Sequence, residues 1–265
     1  MTQTINDKKI SIHFSDSGQG TPVVLLHGFM ENLMVWDDFA KELAASTRVI
    51  AIDLPGHGKT ECFGETCTMD QMAKVVKAVL DHLSIEKCYL IGHSMGGYVT
   101  LAFAENHPER LWGFSLFHSV ATPDTEEKKK ARQQTINKIN EDKKDEVILS
   151  HVPKTFATDN LDTFRKKIIK VTQDSLKTNS EGIIAALKGM MERPDRTHLL
   201  KNTSLPILFF IGKKDNFIPS EKALEQASLS DKIQVVELEN SGHMGHIEEK
   251  EKSLKAVLNF IKGNE

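Results

Sequence analysis

The stretch IGHSMGGY, residues 91–98, decides the fold, because it places a serine between a predicted strand and a predicted helix. The apolar run CYLI leads into it, and MGGYVTLAFAENHP continues from it as a helical segment. Gly92 and Gly96 lie two residues before and two residues after Ser94, where a sharp strand-to-helix turn has no room for side chains. Such a turn holds the Ser94 hydroxyl above a helix N-terminus, where negative charge is favoured. The stretch therefore predicts a nucleophilic serine.

Short aliphatic runs alternate with helical segments along the rest of the chain. This order predicts an α/β fold with a mostly parallel central sheet flanked by helices. Besides CYLI, the predicted strands are KISIHF (9–14), VVLL (23–26), RVIAID (48–53), GFSLFH (113–118), ILFFIG (207–212) and QVVELE (234–239). In residues 69–83, MDQMAKVVKAVLDHL, apolar side chains recur at spacings of three and four, which is typical of an amphipathic helix.

Residues 121–201 interrupt this alternation, since they combine many charges with apolar residues at helical spacing and contain no predicted strand. We therefore predict a core formed by residues 1–120 and 202–265, with residues 121–201 as a helical cap insertion. An insertion at this point lies at the carboxyl edge of the strands, where open α/β sheets bind their ligands. A helical region packed elsewhere on the sheet is the alternative.

Two further polar residues follow predicted strands. IGKKDNFIP places Asp215 just past one strand, and ENSGHMGHIEE places His243 just past the last one. A parallel sheet brings both residues to the same edge as Ser94. A serine needs a base to take its proton, and the base needs a carboxylate to hold its tautomer. The order serine, aspartate, histidine thus predicts a catalytic triad of Ser94, Asp215 and His243.

Other residues compete for these roles. His246 lies in the same loop as His243, and Asp124 follows the strand before the insertion, so each offers an alternative base or acid. We interpret His93, directly before the serine, as a scaffold residue that orients loops.

Together, HGFMEN, DLPGHGKT, GHSMGGY, GKKDNFIP and SGHMGHIE resemble the α/β-hydrolase family, in register from about residue 8 to residue 263. The resemblance implies the α/β-hydrolase fold and an oxyanion hole formed by two backbone N–H groups. These map to Phe29, after the HG pair, and to Met95, after the serine. Glu31 and Asn32 follow the oxyanion loop and are candidates for lining the substrate pocket.

The resemblance also distinguishes the competing residues. The family pattern places the base directly after Ser-Gly, which is His243 here, and the acid in a GxxDxxxP frame, which Asp215 and Pro219 match.

The serine separates this chain from haloalkane dehalogenases and epoxide hydrolases, which resemble the scaffold but use aspartate as the nucleophile. A serine attacks a carbonyl carbon and forms an acyl-enzyme, which predicts a carboxylesterase-like hydrolase of small or medium acyl esters. GHSMGGY also resembles the cofactor-free haloperoxidases. The alternatives are a carbon–carbon bond hydrolase, a lyase like that of the menaquinone pathway, or a ligand-binding receptor with little turnover. We expect no cofactor and no metal site.

Composition narrows the choice of partners. The chain has 265 residues, 27% of them charged, and a net charge of −3, so we expect no nucleic acid or membrane partner. The N-terminus has no signal-peptide pattern, which leads us to expect a cytoplasmic protein acting on a small-molecule ester. In that compartment Cys62 and Cys67 are expected to be free thiols, as is Cys88. The oligomeric state is not readable from the sequence.

Overall fold

A sheet of eight strands runs through the residues that the computed structural model describes, 2–7 and 10–264. In chain order the strands are β1 (Thr2–Asp7), β2 (Ile10–Gly18), β3 (Pro22–Leu26), β4 (Arg48–Ile52), β5 (Cys88–His93), β6 (Leu111–Phe117), β7 (Ile207–Gly212) and β8 (Ile233–Leu238). Their order across the sheet is β1-β2-β4-β3-β5-β6-β7-β8. The pairs β1–β2 and β2–β4 are antiparallel, and all other neighbours are parallel. The predicted α/β fold with a mostly parallel sheet is confirmed.

Helices cover both faces of this sheet. They are α1 (Asp37–Leu43), α2 (Met69–His82), α3 (Met95–Asn106), α4 (Glu126–Asn140), α5 (Lys144–Thr155), α6 (Arg165–Ser175), α7 (Ser180–Glu192), α8 (Thr197–Asn202), α9 (Ser220–Ala227), α10 (Gly245–Glu248) and α11 (Lys250–Lys262). Residues of α2 and α3 pack in one apolar cluster, and residues of α1 and α11 pack in another on the opposite face. The central strands β5 and β7 are buried along their whole length, which explains their continuous apolar sequence.

The strands differ from the predicted ones at several places. The polar sequence TQTIND forms the edge strand β1, which hydrophobic patterning does not reveal because an edge strand buries little side-chain surface. The predicted strand KISIHF begins at Lys9, which lies outside the described residues, and β2 continues beyond it to Gly18. Strand β6 ends before His118, whose φ of 49° is incompatible with a strand.

Helices α4 to α8 occupy the chain between β6 and β7. Residues 121–201 are all described, and they contain no strand. Helix α4 packs against α7 and α5 against α6, while α8 contacts α3 of the core. Whether residues 121–201 form a separate cap domain stays a prediction.

Two further properties concern the whole described chain. None of its helices combines the length and the apolar character needed to cross a bilayer. Cys62, Cys67 and Cys88 are free cysteines, of which Cys67 and Cys88 are buried.

Candidate active site

Ser94 occupies a strained turn between β5 and α3. Its φ of 50° and ψ of −112° lie outside the regions that L-residues ordinarily adopt, so surrounding hydrogen bonds must hold it in place. The Ser94 N–H donates to the carbonyl of Phe117 at 2.9 Å, and the hydroxyl of Ser119 donates to the Ser94 carbonyl at 2.8 Å. The Ser94 side chain is left to line a cavity of about 450 Å³.

The two glycines that flank Ser94 are required by close backbone contacts. A Cβ atom on Gly92 would lie 2.2 Å from the carbonyl oxygen of Gly96. A Cβ atom on Gly96 would lie 2.6 Å from the carbonyl oxygen of Leu26, in β3. Both distances are far below van der Waals contact, so the turn depends on glycine at these two positions.

Asp215 and His243 form a hydrogen-bonded pair at the carboxyl edge of the sheet. Asp215 follows β7, His243 follows β8, and Nδ1 of His243 lies 2.8 Å from Oδ2 of Asp215. The other oxygen, Oδ1 of Asp215, accepts the N–H groups of Phe217 and Ile218 at 2.8 and 3.0 Å. The His243 N–H donates to the carbonyl of Thr155 at 2.7 Å, which ties this loop to α5. His243 and Ser94 line the same cavity.

A second histidine, which the sequence analysis missed, faces the same carboxylate. Nδ1 of His118 lies 3.4 Å from Oδ2 of Asp215, while its Nε2 accepts the N–H of Gly245 at 3.2 Å. That acceptor role fixes the ring proton on Nδ1, toward Asp215. Burial lowers the pKa of His118 to about 4, so the ring is neutral at pH 7. Burial raises the pKa of Asp215, but the adjacent His243 and His118 outweigh it and leave that pKa below its ordinary value.

His118, Asp215 and His243 also form the only cluster of metal-ligand atoms within the described residues, all within 4.8 Å of one another. The protonation of His118 disfavours metal binding by this cluster. A cation bound there would require unprotonated Nδ1 atoms on both rings, whereas Nδ1 of His118 must carry a proton to leave Nε2 as an acceptor.

The two residues predicted to supply the oxyanion donors lie just after the end of β3 and at the start of α3. Met95 is the first residue of α3, and the first N–H groups of a helix have no partner within that helix. Phe29 follows β3 and lines the Ser94 cavity. The preceding loop is held by His27, whose Nδ1 donates to the carbonyl of Gly28 at 2.8 Å and whose Nε2 accepts the N–H of Leu54 at 2.9 Å. The loop that carries Phe29 is thus fixed by both nitrogens of one buried ring.

The two residues predicted to line the pocket have different surroundings. Glu31 is buried at the wall of the Ser94 cavity and lies 3.0 Å from Nδ1 of His93. Burial raises the pKa of Glu31, but His93 outweighs it and brings that pKa to about 2, so the carboxylate is ionised at pH 7. Asn32 faces a second cavity, of about 290 Å³, and its Oδ1 accepts the N–H of Met34 at 2.9 Å. Asn32 is therefore not part of the lining of the Ser94 cavity.

The alternative acid and base lie in other surroundings. Asp124 is fully buried between Arg132 and Arg193, to which it is bound at 2.5 and 2.9 Å. His246 is 1% exposed, and neither of its ring nitrogens has a hydrogen-bond partner among the described residues. Its ring lies 4.4 Å from that of Trp36, centroid to centroid. Burial lowers the pKa of His246 well below its ordinary value, which is the behaviour of a packed core side chain.

The roof of the Ser94 cavity comes from α4 and α5. The residues that line the whole cavity, roof included, are Phe29, Met30, Glu31, Ser94, Tyr98, Lys128, Ala131, Arg132, Thr135, Lys138, Val147, Ser150, His151, Lys154, Thr155, Leu187, Met190, Phe217, Ile218 and His243. His151, which the sequence analysis also missed, stands between Phe29 and Phe217, with ring centroids 6.0 and 5.0 Å away. Burial lowers the pKa of His151 to about 4, so it brings a neutral imidazole to the cavity. Only the docking of α5 reveals this position.

Comparison with known proteins identifies the family of this chain. The profile of the alpha/beta hydrolase fold matches residues 21–250. A hydrolase of 2-hydroxy-6-oxononadienedioate and 2-hydroxy-6-oxononatrienedioate from Escherichia coli is 30% identical over 96% of this chain and 92% of its own. The dihydrolipoyllysine-residue acetyltransferase component of the acetoin cleaving system from Pseudomonas putida is 32% identical over 92% of this chain. The match spans 64% of the length of that protein.

A solved structure extends the likeness over the whole fold. A thermophilic esterase from Thermogutta terrifontis, determined with malate bound, superposes with a TM-score of 0.94 at 31% identity. The match covers 100% of this chain and 99% of the esterase. The serine turn at the end of β5, the Asp215–His243 pair and the family profile lead to one conclusion: this chain belongs to the α/β-hydrolase family.

Proposed function

We propose that this chain is a serine hydrolase that cleaves carboxylic esters of small or medium acyl groups. One observation carries the proposal: Nδ1 of His243 lies 2.8 Å from Oδ2 of Asp215, and His243 shares a cavity with Ser94. Because the ionised Asp215 can only accept, the proton of neutral His243 resides on Nδ1. Its Nε2 is then free to act as a base.

In the proposed acylation step, Nε2 of His243 takes the proton of the Ser94 hydroxyl as Oγ attacks the carbonyl carbon of the ester. The negative charge that develops on the carbonyl oxygen is stabilised by the N–H groups of Phe29 and Met95. When the tetrahedral intermediate collapses, the bond to the alcohol oxygen breaks. The His243 proton passes to that oxygen, and the acyl group remains on Ser94.

In the proposed deacylation step, water takes the place of the alcohol. His243 removes a proton from the water as it attacks the acyl carbon, and the same two N–H groups stabilise the second intermediate. The proton returns to Oγ of Ser94, which releases the carboxylic acid and restores the enzyme. Asp215 stays ionised throughout and stabilises the imidazolium of His243.

Ester hydrolysis is favoured over other reactions by the esterase from Thermogutta terrifontis, which is 31% identical over the full length. The test is the hydrolysis of p-nitrophenyl esters from acetate to octanoate by the wild type and Ser94→Ala. We expect turnover of the short and medium esters that is lost in Ser94→Ala. Slow turnover that persists in the variant, with tight ligand binding, contradicts the proposal and favours a receptor.

A second candidate is hydrolysis of a carbon–carbon bond in a dienoic diketone acid by the same three residues. The Escherichia coli relatives favour it, because they are 30% identical and their named substrates are dioates. Malate, present in the esterase structure, is likewise a dicarboxylate. Saturable turnover of such an acid that exceeds the turnover of every ester would replace the first proposal with the second.

A further inference from the structure

Cations outnumber carboxylates in the lining of the Ser94 cavity, although the chain as a whole carries a net charge of −3. Lys128, Arg132, Lys138 and Lys154 line it, and Glu31 is the only carboxylate among its described lining residues. The second cavity, between α1 and α6, has the opposite balance, with six carboxylates and three lysines. Because Glu31 is paired with a buried imidazole, the cations of the Ser94 cavity have no carboxylate of the lining left to neutralise them.

These cations come from α4 and α5, the two helices that form the roof of the Ser94 cavity. Lys128, Arg132 and Lys138 recur at helical spacing along one face of α4, and Lys154 comes from the neighbouring α5. With a rise of 1.5 Å per residue, the stretch from Lys128 to Lys138 extends over about 15 Å. A substrate whose carbonyl lies at Ser94 therefore presents its remaining atoms to a positively charged helix face.

Arg132 is held in position for a ligand. Its Nε and Nη2 atoms bind the two carboxylate oxygens of Asp124 at 2.5 and 3.3 Å. Asp124 is fully buried and also binds Arg193, so one carboxylate serves two guanidinium groups and leaves a net positive charge. Nη1 of Arg132 forms no hydrogen bond within the described residues. A guanidinium fixed along one edge offers its remaining N–H groups to an anion with little loss of entropy.

The three lysines of the lining, unlike Arg132, have no ion-pair partner among the described residues. Lys128, Lys138 and Lys154 form no ion pair within 4 Å in the described part of the chain, and all three are exposed. On the same helix, Lys129 pairs with Glu126 at 3.0 Å. Three lysine charges without an ion-pair partner in the described chain thus line the Ser94 cavity.

We propose that the substrate is an ester that carries a free carboxylate, which binds Nη1 of Arg132 and is attracted by Lys128, Lys138 and Lys154. The inference rests on the proposed ester hydrolysis and adds the charge class of its substrate. The carboxylate can belong to the acyl part or to the alcohol part of the ester. The cations of the roof can bind a carboxylate on either part, and the experiment below distinguishes the two cases.

The test compares kcat/KM for two matched pairs of esters. Monoethyl adipate against ethyl heptanoate places the charge on the acyl part, and para-acetoxybenzoate against its methyl ester places it on the leaving group. We expect the charged member to be preferred by about 10-fold to 100-fold in one pair at low salt, as for a charge-assisted hydrogen bond. The preference should shrink as salt is added. A ratio near one in both pairs overturns the proposal.

Substitutions of the lining cations test whether the preference for the charged ester comes from α4 and α5. Arg132→Gln, Lys128→Glu and Lys154→Glu should each lower the ratio of charged to neutral ester turnover, with Arg132→Gln acting most strongly. The matched control is Lys130→Glu, on the same helix but outside the cavity lining, which makes the same change of charge as Lys128→Glu. An equal fall of the ratio in Lys130→Glu would mean that overall charge, and not this site, selects the substrate.

A binding measurement separates failure of this inference from failure of the proposed function. Calorimetry with Ser94→Ala compares adipate, a dianion, with adipamide, its neutral analogue. Adipate binding that is lost in the double variant Ser94→Ala/Arg132→Gln supports the anion site even if no ester is hydrolysed. If the wild type hydrolyses neutral esters but Ser94→Ala does not bind adipate, the proposed ester hydrolysis stands and the proposed carboxylate site is rejected.

Discussion

Glu31 and His93 form a buried ion pair beneath the site, with Oε2 of Glu31 3.0 Å from Nδ1 of His93. The same oxygen accepts the Gly28 N–H at 2.7 Å, and Nε2 of His93 lies 2.8 Å from the carbonyl oxygen of His243. An ionised carboxylate and a carbonyl can only accept, so both nitrogens of His93 donate and the ring is positively charged. Burial lowers the pKa of His93, but Glu31 outweighs it and raises that pKa. The pair links the oxyanion loop, the serine strand and the base loop.

Removal of one member of this pair should be costly. In Glu31→Gln the charge of His93 loses its counter-ion in a buried position, and we expect a loss of about 3–5 kcal/mol in the free energy of unfolding. Urea unfolding measures the loss, and steady-state turnover should fall with it because the oxyanion loop, β5 and the base loop lose their common anchor. The control is Asp38→Asn, which removes an exposed ion pair with Lys167 and should cost under about 1 kcal/mol. Equal losses in the two variants would show that the buried pair adds nothing.

Stability should fall in mild acid. Burial lowers the pKa of His57 to about 3 and the pKa of His118 to about 4, so both are neutral in the folded protein and charge readily when it unfolds. Above pH 6.5 both rings are neutral in the folded and in the unfolded protein, so they do not reduce the free energy of unfolding. Below pH 6.5 the unfolded protein binds their protons first, so this free energy falls until the pH reaches the folded-state pKa. We expect about 2 kcal/mol per group between pH 6.5 and pH 5. The pKa of Glu31, lowered to about 2, adds a loss only below about pH 4.5.

The variant that checks this assignment is His57→Leu, which removes one buried titrating ring. Urea unfolding at pH 7 and pH 5 should show a smaller difference for His57→Leu than for the wild type. His198→Gln, at an exposed histidine, serves as the control and should keep the wild-type difference. His93 works in the opposite direction, since its raised pKa gives stability that is lost as the pH rises. A protein that is more stable at pH 5 than at pH 7 would contradict the account.

The glycines of the serine turn should not tolerate a methyl group. Gly92→Ala places a Cβ 2.2 Å from a backbone oxygen, and Gly96→Ala places one 2.6 Å from another, so backbone must move in both cases. We expect each to lose about 1–3 kcal/mol in the free energy of unfolding and most of the hydrolytic activity. Gly263→Ala is the control, because the nearest atom there is 3.2 Å away and φ is −77°. Wild-type activity in Gly92→Ala would show that the serine turn has room for a side chain at this position, which contradicts the steric argument for glycine.

The two histidines of the last loop should behave differently on substitution. His243→Ala is expected to lower kcat by at least about 10³-fold at little cost in stability, since the base and the serine act as a unit. His246→Ala removes a packed ring next to Trp36 and should lower the melting temperature while measurable turnover remains. A folded but inactive His246→Ala, beside an active His243→Ala, reverses the assignment.

Much of the fold can be predicted from local sequence. The capping box of Thr68 and Gln71 and the apolar spacing after it specify α2, and the continuous apolar runs specify the buried parallel strands. Strand β1 is not predicted, because its sequence is polar. The order of Ser94, Asp215 and His243 is likewise readable, since each follows a predicted strand.

The rest of the site depends on packing that periodicity does not encode. His118 and His151 carry no local signal, because one is placed by the end of β6 and the other by the docking of α5 on the core. His93 is predicted only as a scaffold residue, and its charge follows from two acceptors that are distant in sequence. Arg132 becomes a candidate ligand only once Asp124 is seen to hold it.

The central claim is that Ser94 is a nucleophile activated by His243 and Asp215. Its most direct test is incubation with diethyl p-nitrophenyl phosphate, followed by peptide mass spectrometry. The account predicts one diethylphosphoryl group on the peptide that contains Ser94, no label in Ser94→Ala, and much slower labelling in His243→Ala and Asp215→Asn. Label on another residue, or equal labelling of Ser94 in all three backgrounds that retain the serine, would contradict it.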